Sequence, residues 1–426
     1  MNYYQTLNWI HSHKAKGRRP DMKRMKALLA TLGNPQDDFP AIHLVGTNGK
    51  GSTTSYLQHI FTEADYKTGT FTSPYITRFN ERIAIDGNPI PDQDLVKTVQ
   101  VLQDKIAQTN FLDHFDKPTE FELVTAIMFL YFAQIQPVDL AIIEAGIGGQ
   151  HDSTNVFKAL ALVCPSISLD HQETLGHQLT DIARQKVGAL DAHTPLIFGP
   201  MTDQVRQVFL DRTEQLFSPH YELGQDFFLL ENGRAFDFNY ESFRLADIEL
   251  AMLGRHQQSN AALAIMTSLL LRSQFPKLTP QNIKVGLEQT VWPGRCELVR
   301  PNLLLDGAHN EDSIAKLIEV LKDYFPDKAI HILFASLNRK PLDKILGQLA
   351  EFDLSVTSFD FPEARPLSDY PNQYPQVKHW KAWLVESQVE PDQLYVVTGS
   401  LYFISEVRNY LQNNNSQIEH SLQIIN

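Results

Sequence analysis

Cysteine is scarce in this chain. Cys164 and Cys296 are the two among 426 residues, far apart and without C-x-x-C spacing. That excludes a disulfide framework, argues against a zinc site and suits a reducing compartment, so the expected location is cytoplasmic. Long hydrophobic runs are lacking too. The longest apolar stretch, Leu123 to Ile135, is too short to cross a bilayer and reads as a buried helix. Met1 to Ile10 has no cationic start followed by an apolar run, so no secretory signal is expected. Positive charge is in deficit. The net charge is −13, and the one basic cluster, Lys14-Ala-Lys-Gly-Arg-Arg19, is brief. Nucleic acid and membrane are therefore not expected as partners. An acidic chain that takes an anionic substrate must use local cations, helix ends or metals, because its overall field opposes approach.

A hydrophobic content of 43% and a charged content of 20% are those of a soluble globular protein. The length makes two domains the natural expectation. The most informative stretch is Ala41-Ile-His-Leu-Val-Gly-Thr-Asn-Gly-Lys-Gly-Ser-Thr-Thr54. Its apolar start reads as a buried strand, Gly46 to Ser52 as a tight turn, and Ser52 onward as a helix with an apolar stripe. Strand, glycine loop, lysine and helix start make a phosphate cradle. Backbone N–H groups face the anion and Lys50 supplies a point charge. The loop departs from G-x-x-x-x-G-K-[ST]: Leu44 stands where the first glycine belongs, and the hydroxyl comes one residue late, at Ser52. The chain is expected to bind a nucleoside triphosphate.

After this loop strands and helices alternate. Strands are expected at Lys67 to Thr72, Val138 to Glu144, Leu160 to Ile167 and Thr194 to Phe198. Helices are expected at Asp92 to Gln108, Glu120 to Gln134, Thr180 to Leu190 and Gln258 to Ser273. Apolar runs joined by helices indicate a mostly parallel sheet covered on both faces. Residues 219 to 253 read as a small antiparallel patch. Trp292-Pro-Gly-Arg295 interrupts both periodicities and reads as a linker, which places domains at 1–293 and 294–426. The second part alternates again: strands at Asn302 to Asp306, Ala329 to Phe334 and Leu394 to Thr398, helices at Asp312 to Asp323, Leu342 to Ala350 and Leu401 to Gln412. It reads as a smaller, Rossmann-like α/β domain with a frayed polar tail from Asn413. The fold class is α/β throughout.

Several polar residues stand where such a sheet places its ligands, at the carboxyl ends of strands. Ser73 follows one strand, in Thr72-Ser-Pro74, and is either a ligand or a turn hydroxyl. Tyr75 to Pro91 reads as a long loop. Glu144 ends a buried strand before Ala-Gly-Ile-Gly-Gly149, the usual Mg²⁺-binding arrangement beside a phosphate loop. His171, in Asp170-His171, follows another strand and reads equally as structural. Lys186, read from pattern alone, is a surface lysine on a helix. In the second part Arg295, Asp306 and His309 gather around a strand end, a set that grips either a nucleotide or an amino acid. Asn260 presents donor and acceptor together, as an adenine-reading amide does.

These segments together resemble the folylpolyglutamate synthase/dihydrofolate synthase family of the Mur-ligase superfamily. The resemblance runs over nearly the whole chain. It rests on Ile10-His-Ser12, Arg24-Met25 to Leu32-Gly-Asn-Pro35, Gly46-Thr-Asn-Gly-Lys-Gly-Ser52, Thr72-Ser-Pro74 and Arg78-Phe-Asn-Glu-Arg82. Gly146-Ile-Gly-Gly149 with Asp152-Ser-Thr-Asn155, Leu169-Asp-His171, Lys186, Gly254 to Asn260, Trp292-Pro-Gly-Arg295 and Asp306-Gly-Ala-His-Asn310 complete it. It implies a carbon–nitrogen ligase that adds L-glutamate to a reduced folate at the expense of ATP, through an acyl phosphate. It implies that Thr47, Asn48, Gly49, Lys50, Gly51, Ser52 and Thr53 hold the phosphates, with Asn260, Arg295 and Asp306 on the nucleotide. Ser73 and Glu144 would hold one Mg²⁺ and His171 a second, with Ser52 assisting. Lys186 matches a lysine that is carbamylated in the family, a change that turns a cation into an oxygen-rich anion suited to Mg²⁺. Lys50, Lys186, Asp306 and His309 would be catalytic, His309 placing the incoming glutamate. The pteroate moiety would lie near His11, Ser12, Phe121, His151, Asp152 and Ser153. A monomer is expected.

Departures from the family pattern bear on the substrate. Gly149-Gln-His-Asp152 stands where Gly-Gly-Arg-Leu-Asp is common, so a cation is lost there. Glu311 replaces a proline, Asn338-Arg-Lys-Pro341 replaces a Lys-Asp pair, and Tyr75-Ile replaces His-Leu. Acceptance of dihydropteroate, and so a bifunctional enzyme, stays open. Two other readings compete: a sibling ligase acting on cell-wall precursors, for which no uridine-nucleotide domain precedes the loop at residue 46, and a nucleotide-binding regulatory paralogue without ligase activity, against which the intact lysines, Glu144, His171, Asp306 and His309 argue.

Overall fold

A computed structural model describes residues 1–14, 21–338, 340, 342–387 and 392–423. Most of the basic cluster, at residues 15–20, lies outside the described residues, as do Arg339 and Pro341. The chain divides into two compact units. The first comprises Met1–Tyr75, Asn80–Ala251 and Gln257–Thr290, the second Ile76–Phe79, Met252–His256 and Val291–Asn426.

The first unit is built on an eight-stranded sheet. Its strands are β1 (Ala41–Leu44), β2 (Thr68–Phe71), β3 (Ile83–Ile85), β4 (Asn88–Pro89), β5 (Leu140–Glu144), β6 (Leu162–Cys164), β7 (Leu196–Phe198) and β8 (His220–Glu222), in the order β4-β3-β2-β5-β1-β6-β7-β8. From β2 to β8 neighbours run parallel, and β3 and β4 close one edge as an antiparallel hairpin. Every residue of β1, β2, β5, β6 and β7 is buried, which is why β6 and β7, and β5 up to Glu144, read as unbroken apolar runs rather than alternating ones.

A three-stranded antiparallel sheet, β9 (Phe228–Asn232), β10 (Ala235–Tyr240) and β11 (Phe243–Glu249), follows. The patch expected at 219 to 253 therefore splits, because His220–Glu222 pairs in parallel with β7 and extends the large sheet. The Tyr75 to Pro91 stretch is not a structureless loop. It contains the turn Phe79–Arg82 and the β3–β4 hairpin, whose Asp86 and Gly87 take positive φ.

The helix after the phosphate loop spans Lys50–Glu63 and starts two residues earlier than its apolar stripe suggests. It is buried nearly all round, from Ser52 to Phe61. One reason is the Pro280–Gln289 helix, which approaches so closely that a Cβ on Gly286 would stand 2.7 Å from the Ile60 backbone. The helix expected at Glu120 to Gln134 runs as α-helix over Glu120–Leu130, and Tyr131–Ile135 continues it as a π-turn. Its start is a capping box. The Thr119 hydroxyl accepts from the Glu122 amide, and the Glu122 carboxylate accepts from the Thr119 amide at 2.7 Å. The same carboxylate, fully buried, takes a two-pronged pair from Arg24 at 2.9 and 2.8 Å.

The second unit carries β12 (Glu297–Arg300), β13 (Leu303–Leu305), β14 (Ile330–Phe334), β15 (Asp353–Val356) and β16 (Leu394–Thr398), ordered β12-β13-β16-β14-β15 and parallel except for β12. Alternate residues fill its two faces. Leu304, Ile332, Phe334 and Val396 enter one core cluster, and Leu303, Leu305, Leu333 and Val397 enter the other. The last helix runs Leu401–Gln423, past the point where a frayed tail is expected. Among the described residues no helix is long and apolar enough to cross a membrane. Both cysteines are buried and free.

Candidate functional site

Four neighbouring strands, β2, β5, β1 and β6, bring their carboxyl ends together at one edge of the large sheet. Each carries a residue singled out by the sequence: Ser73 beyond β2, Glu144 as the last residue of β5, the Gly46–Ser52 loop beyond β1, and His171 beyond β6.

The phosphate loop is held from beneath by the segment after β6. The Thr47 amide donates to the Ser166 carbonyl at 2.9 Å, and the Thr47 hydroxyl donates to the Ser168 carbonyl at 3.1 Å. The Asn48 amide donates to the Ser166 hydroxyl at 3.1 Å. Gly49 caps the helix in the left-handed region, at φ 88°. A Cβ there would stand 2.5 Å from Asn260 Oδ1 and 2.8 Å from Pro165 Cβ, so both backbone and space demand glycine. Asn260 is buried at the loop. Its amide donates to Gln257 Oε1 at 3.2 Å, and Gln257 in turn donates to the Ser52 hydroxyl at 3.3 Å. Gln257 is a residue that sequence reasoning misses. The signal was its place one turn before Asn260 on the same helix. In the first turn of the helix, Thr53 and Thr54 keep buried hydroxyls with no hydrogen-bond partner.

Lys50 Nζ donates to the Gly46 carbonyl at 3.0 Å and the Thr47 carbonyl at 3.3 Å, and stands 3.5 Å from Glu144 Oε1. Glu144 is buried, and its other oxygen accepts from the Ser73 amide at 3.4 Å. Ser73, Glu144 and Lys50 are thus one contiguous group. The Ser73–Pro74 peptide bond is cis rather than a simple extended exit. His171 takes φ 49° and opens the short helix Gln172–Leu175, its amide donating to Asp170 Oδ1 at 2.8 Å.

Lys186 corrects the surface reading made from pattern. It lies on the helix Leu179–Val187 and is 5% exposed. Its Nζ donates to the Gly46 carbonyl at 2.7 Å, beside Lys50. Burial, and then the Lys50 charge, pull its pKa down to about 7. The amine is therefore partly neutral near pH 7, the form that reacts with CO₂.

The residues expected around pteroate form a connected patch in the same unit. His11 Nδ1 lies 3.2 Å from Glu120 Oε1. Ser12, at the end of the Tyr3–His11 helix, donates to the Trp9 carbonyl. The Phe121 ring covers Gly146, where a Cβ would meet it at 2.5 Å. Asp152 and Ser153 are buried and His151 is exposed. The Asp152 carboxylate turns inward and accepts from the Ile147 amide at 2.8 Å and the Thr154 amide at 3.0 Å.

Arg295, Asp306 and His309 belong to the second unit and cluster there. Both Asp306 oxygens are used by the protein: Oδ2 accepts from the Cys296 amide and Oδ1 from the Ala308 amide, each at 2.8 Å. Arg295 packs on Gly307, where a Cβ would meet Nη1 at 2.6 Å. His309 Nδ1 lies 2.8 Å from the Gly307 carbonyl. Among the described residues no three His, Cys, Asp or Glu side chains gather as a metal cluster. The first unit instead offers one buried carboxylate with hydroxyls beside a phosphate loop, a donor set that fits Mg²⁺ completed by phosphate oxygens.

A glycine-lysine loop with a carboxylate at the adjoining strand tip, followed by a second α/β unit, defines an enzyme of the Mur-ligase type. Residues 294–401 match the family described as Mur ligase, glutamate ligase domain. The chain is 36% identical to the dihydrofolate synthase/folylpolyglutamate synthase of Bacillus subtilis, over 96% of this chain and 99% of that protein. It is similar to the apo form of L. casei folylpolyglutamate synthase (FPGS), with a TM-score of 0.86 at 35% identity, over 97% of this chain and 100% of that one. An FPGS–AMPPCP–folate complex aligns with a TM-score of 0.86 at 35% identity, over 96% and 100%. The chain belongs to the folylpolyglutamate synthase/dihydrofolate synthase family.

Proposed function

We propose that this enzyme adds L-glutamate to the γ-carboxylate of a reduced folate, driven by ATP. The observation that carries the reading is the group Ser73–Glu144–Lys50 at the mouth of the Gly46–Ser52 loop, with Lys186 on the same carbonyl as Lys50. A solved relative that holds both AMPPCP and folate supports it.

The carboxylate of folate attacks the γ-phosphate of ATP, ADP departs, and the γ-phosphoryl group stays on the substrate as an acyl phosphate. The glutamate amine then attacks the carbonyl, and phosphate departs. A bare carboxylate is a poor electrophile, so this activation is needed. Thr47 to Thr53 cradle the triphosphate and Lys50 offsets its charge. Mg²⁺, held by Ser73, Glu144 and Ser52 at one site and by His171 with carbamylated Lys186 at a second, would supply charge neutralisation at the phosphates. Asn260, Arg295 and Asp306 contact the nucleotide, and His309 places the glutamate. His11, Ser12, Phe121, His151, Asp152 and Ser153 bind the pteroate end. In this reading residues 1–293 form the ATP-binding domain and 294–426 the glutamate-ligase domain, in a cytoplasmic monomer.

A bifunctional enzyme that also joins glutamate to dihydropteroate is the second reading, favoured by the double name of the Bacillus subtilis relative. The test is ADP release. Release that requires glutamate and tetrahydrofolate together supports the first reading, and release with dihydropteroate in place of folate adds the second. Nucleotide binding without turnover overturns both in favour of a regulatory paralogue.

A further inference from the structure

β1 carries a histidine where a buried parallel strand ordinarily carries an aliphatic residue. His43 is 2% exposed, between Ile42 and Leu44, and its ring leans on Phe157 at 5.2 Å. Its Nε2 lies 2.9 Å from the Thr154 hydroxyl. That hydroxyl donates its only proton to Asp152 Oδ1, at 2.7 Å. The hydroxyl therefore accepts from His43, which fixes the neutral tautomer with the proton on Nε2. Burial favours the same form, holding the His43 pKa down at about 4. The result is a one-directional relay, His43 to Thr154 to Asp152, closed off from water along its length, with all three residues at most 4% exposed.

The relay ends on a loop. Asp152 also accepts from the backbone N–H groups of Gly146, Ile147 and Thr154. Burial alone would push its carboxyl pKa up, and these donors oppose that. The same loop is seated on the helix of Lys186. The Gln150 amide donates to the Gln185 carbonyl at 2.7 Å, and a Cβ on Gly149 would stand 2.6 Å from the Lys186 carbonyl. The strand that feeds the phosphate loop, the 146–152 loop and the Lys186 helix are thus tied through one chain of contacts.

We propose that His43 and Thr154 are positioning residues which hold the 146–152 loop in the shape that receives the pteroate end of the substrate. The proposal rests on reading that loop as pteroate-facing. Neither residue touches substrate. His43 orients the Thr154 hydroxyl, the hydroxyl turns the Asp152 carboxylate inward, and the carboxylate gathers the loop amides. Loss of the hydroxyl leaves a buried imidazole N–H unpaired and one carboxylate acceptor short of a donor.

The decisive variant is Thr154→Val, which keeps volume and removes the hydroxyl. Amide hydrogen exchange at Gly146 and Ile147 is expected to speed up by about tenfold, and KM for tetrahydrofolate to rise by a similar factor, while KM for ATP stays within about twofold. Thr154→Ser, which keeps the hydroxyl, and His43→Gln, which keeps a donor to it, are each expected to leave both readouts near those of the unaltered enzyme. Unchanged exchange at those amides overturns the relay. So does a rise of both KM values together with a fall in melting temperature, since that describes general loosening. Phe121→Ala separates the proposal from the reading beneath it. If Phe121→Ala raises the folate KM and Thr154→Val does not, the relay fails alone. If exchange quickens but neither variant moves the folate KM, the pteroate assignment of the loop falls and takes the positioning role with it.

Discussion

Lys186 Nζ donates to the Gly46 carbonyl at 2.7 Å, on the same oxygen that receives Lys50 Nζ at 3.0 Å. A charge on both amines is unfavourable at one carbonyl, which is why, beyond burial, the Lys50 charge lowers the Lys186 pKa, and Lys50 itself stands 3.5 Å from Glu144. Carbamylation of Lys186 would turn this repulsion into attraction. Lys186→Ala is expected to lower kcat by on the order of 10²–10³-fold. Bicarbonate added to CO₂-depleted enzyme is expected to raise activity, and isotope-labelled bicarbonate to give a carbamate carbon signal that Lys186→Ala lacks. An unchanged rate in Lys186→Ala would remove the carbamate.

Lys50→Ala deletes the cation at the loop mouth and leaves Glu144 buried without it. Turnover is expected to fall by at least on the order of 10²–10³-fold. Isothermal titration with AMPPCP should show weakened binding as well if, as proposed, the lysine serves bound triphosphate and not the reaction alone.

Gly49→Ala brings a Cβ to 2.5 Å from Asn260 Oδ1 and 2.8 Å from Pro165 Cβ, at φ 88°. Nucleotide binding is expected to be lost. Adding Asn260→Ala relieves one clash and leaves Pro165 and the backbone strain, so recovery should be slight. Full recovery in the double variant would show that the side-chain clash was the whole cause.

Arg24→Met leaves the fully buried Glu122 without its cation. The expected loss of stability is about 3–5 kcal/mol by urea unfolding. Glu122→Gln in the same background should recover part of it, because an amide can still accept at the Thr119 cap.

His43 also sets an acid limit. Its folded pKa of about 4 lies below the ordinary 6.5, so the unfolded chain takes up a proton that the folded chain refuses. The stability owed to neutral His43 is complete above pH 6.5 and declines as pH falls from 6.5 toward 4. His43→Gln should flatten that part of a melting-temperature profile. A profile unchanged by the substitution would count against a buried neutral imidazole.

The Gly46–Ser52 turn and the central parallel strands were legible in the sequence, because most of these buried strands are apolar and glycines mark the turns. The helix Asp92–Gln108 and the strand Leu394–Thr398 were legible to the residue, each being apolar at its own period. The burial of Lys186 was not, since a helix pattern gives the face of a residue but not what packs on it. The β3–β4 hairpin was hidden by its brevity, at three residues and two. His220–Glu222 looked like part of the antiparallel patch because parallel pairing with β7 is a long-range contact with no local mark. The helices Tyr3–His11, Asp203–Leu216 and Pro280–Gln289 bury only a few residues each and were not read from the sequence. The bonds that tie Gln257 to Ser52 and Thr154 to His43 cross the fold and leave no trace in spacing, although Gln257 does stand one turn before Asn260.

The strands that end at the reaction centre all have a paired neighbour on either side. Their tips cannot shift without tearing a ladder of backbone bonds on both sides. On the proposed reading, substrate preference is then open to change in the connecting segments, such as residues 146–154, while the strand tips stay as they are. Efforts to redirect it toward other acids should begin with those segments and leave the interior strands alone.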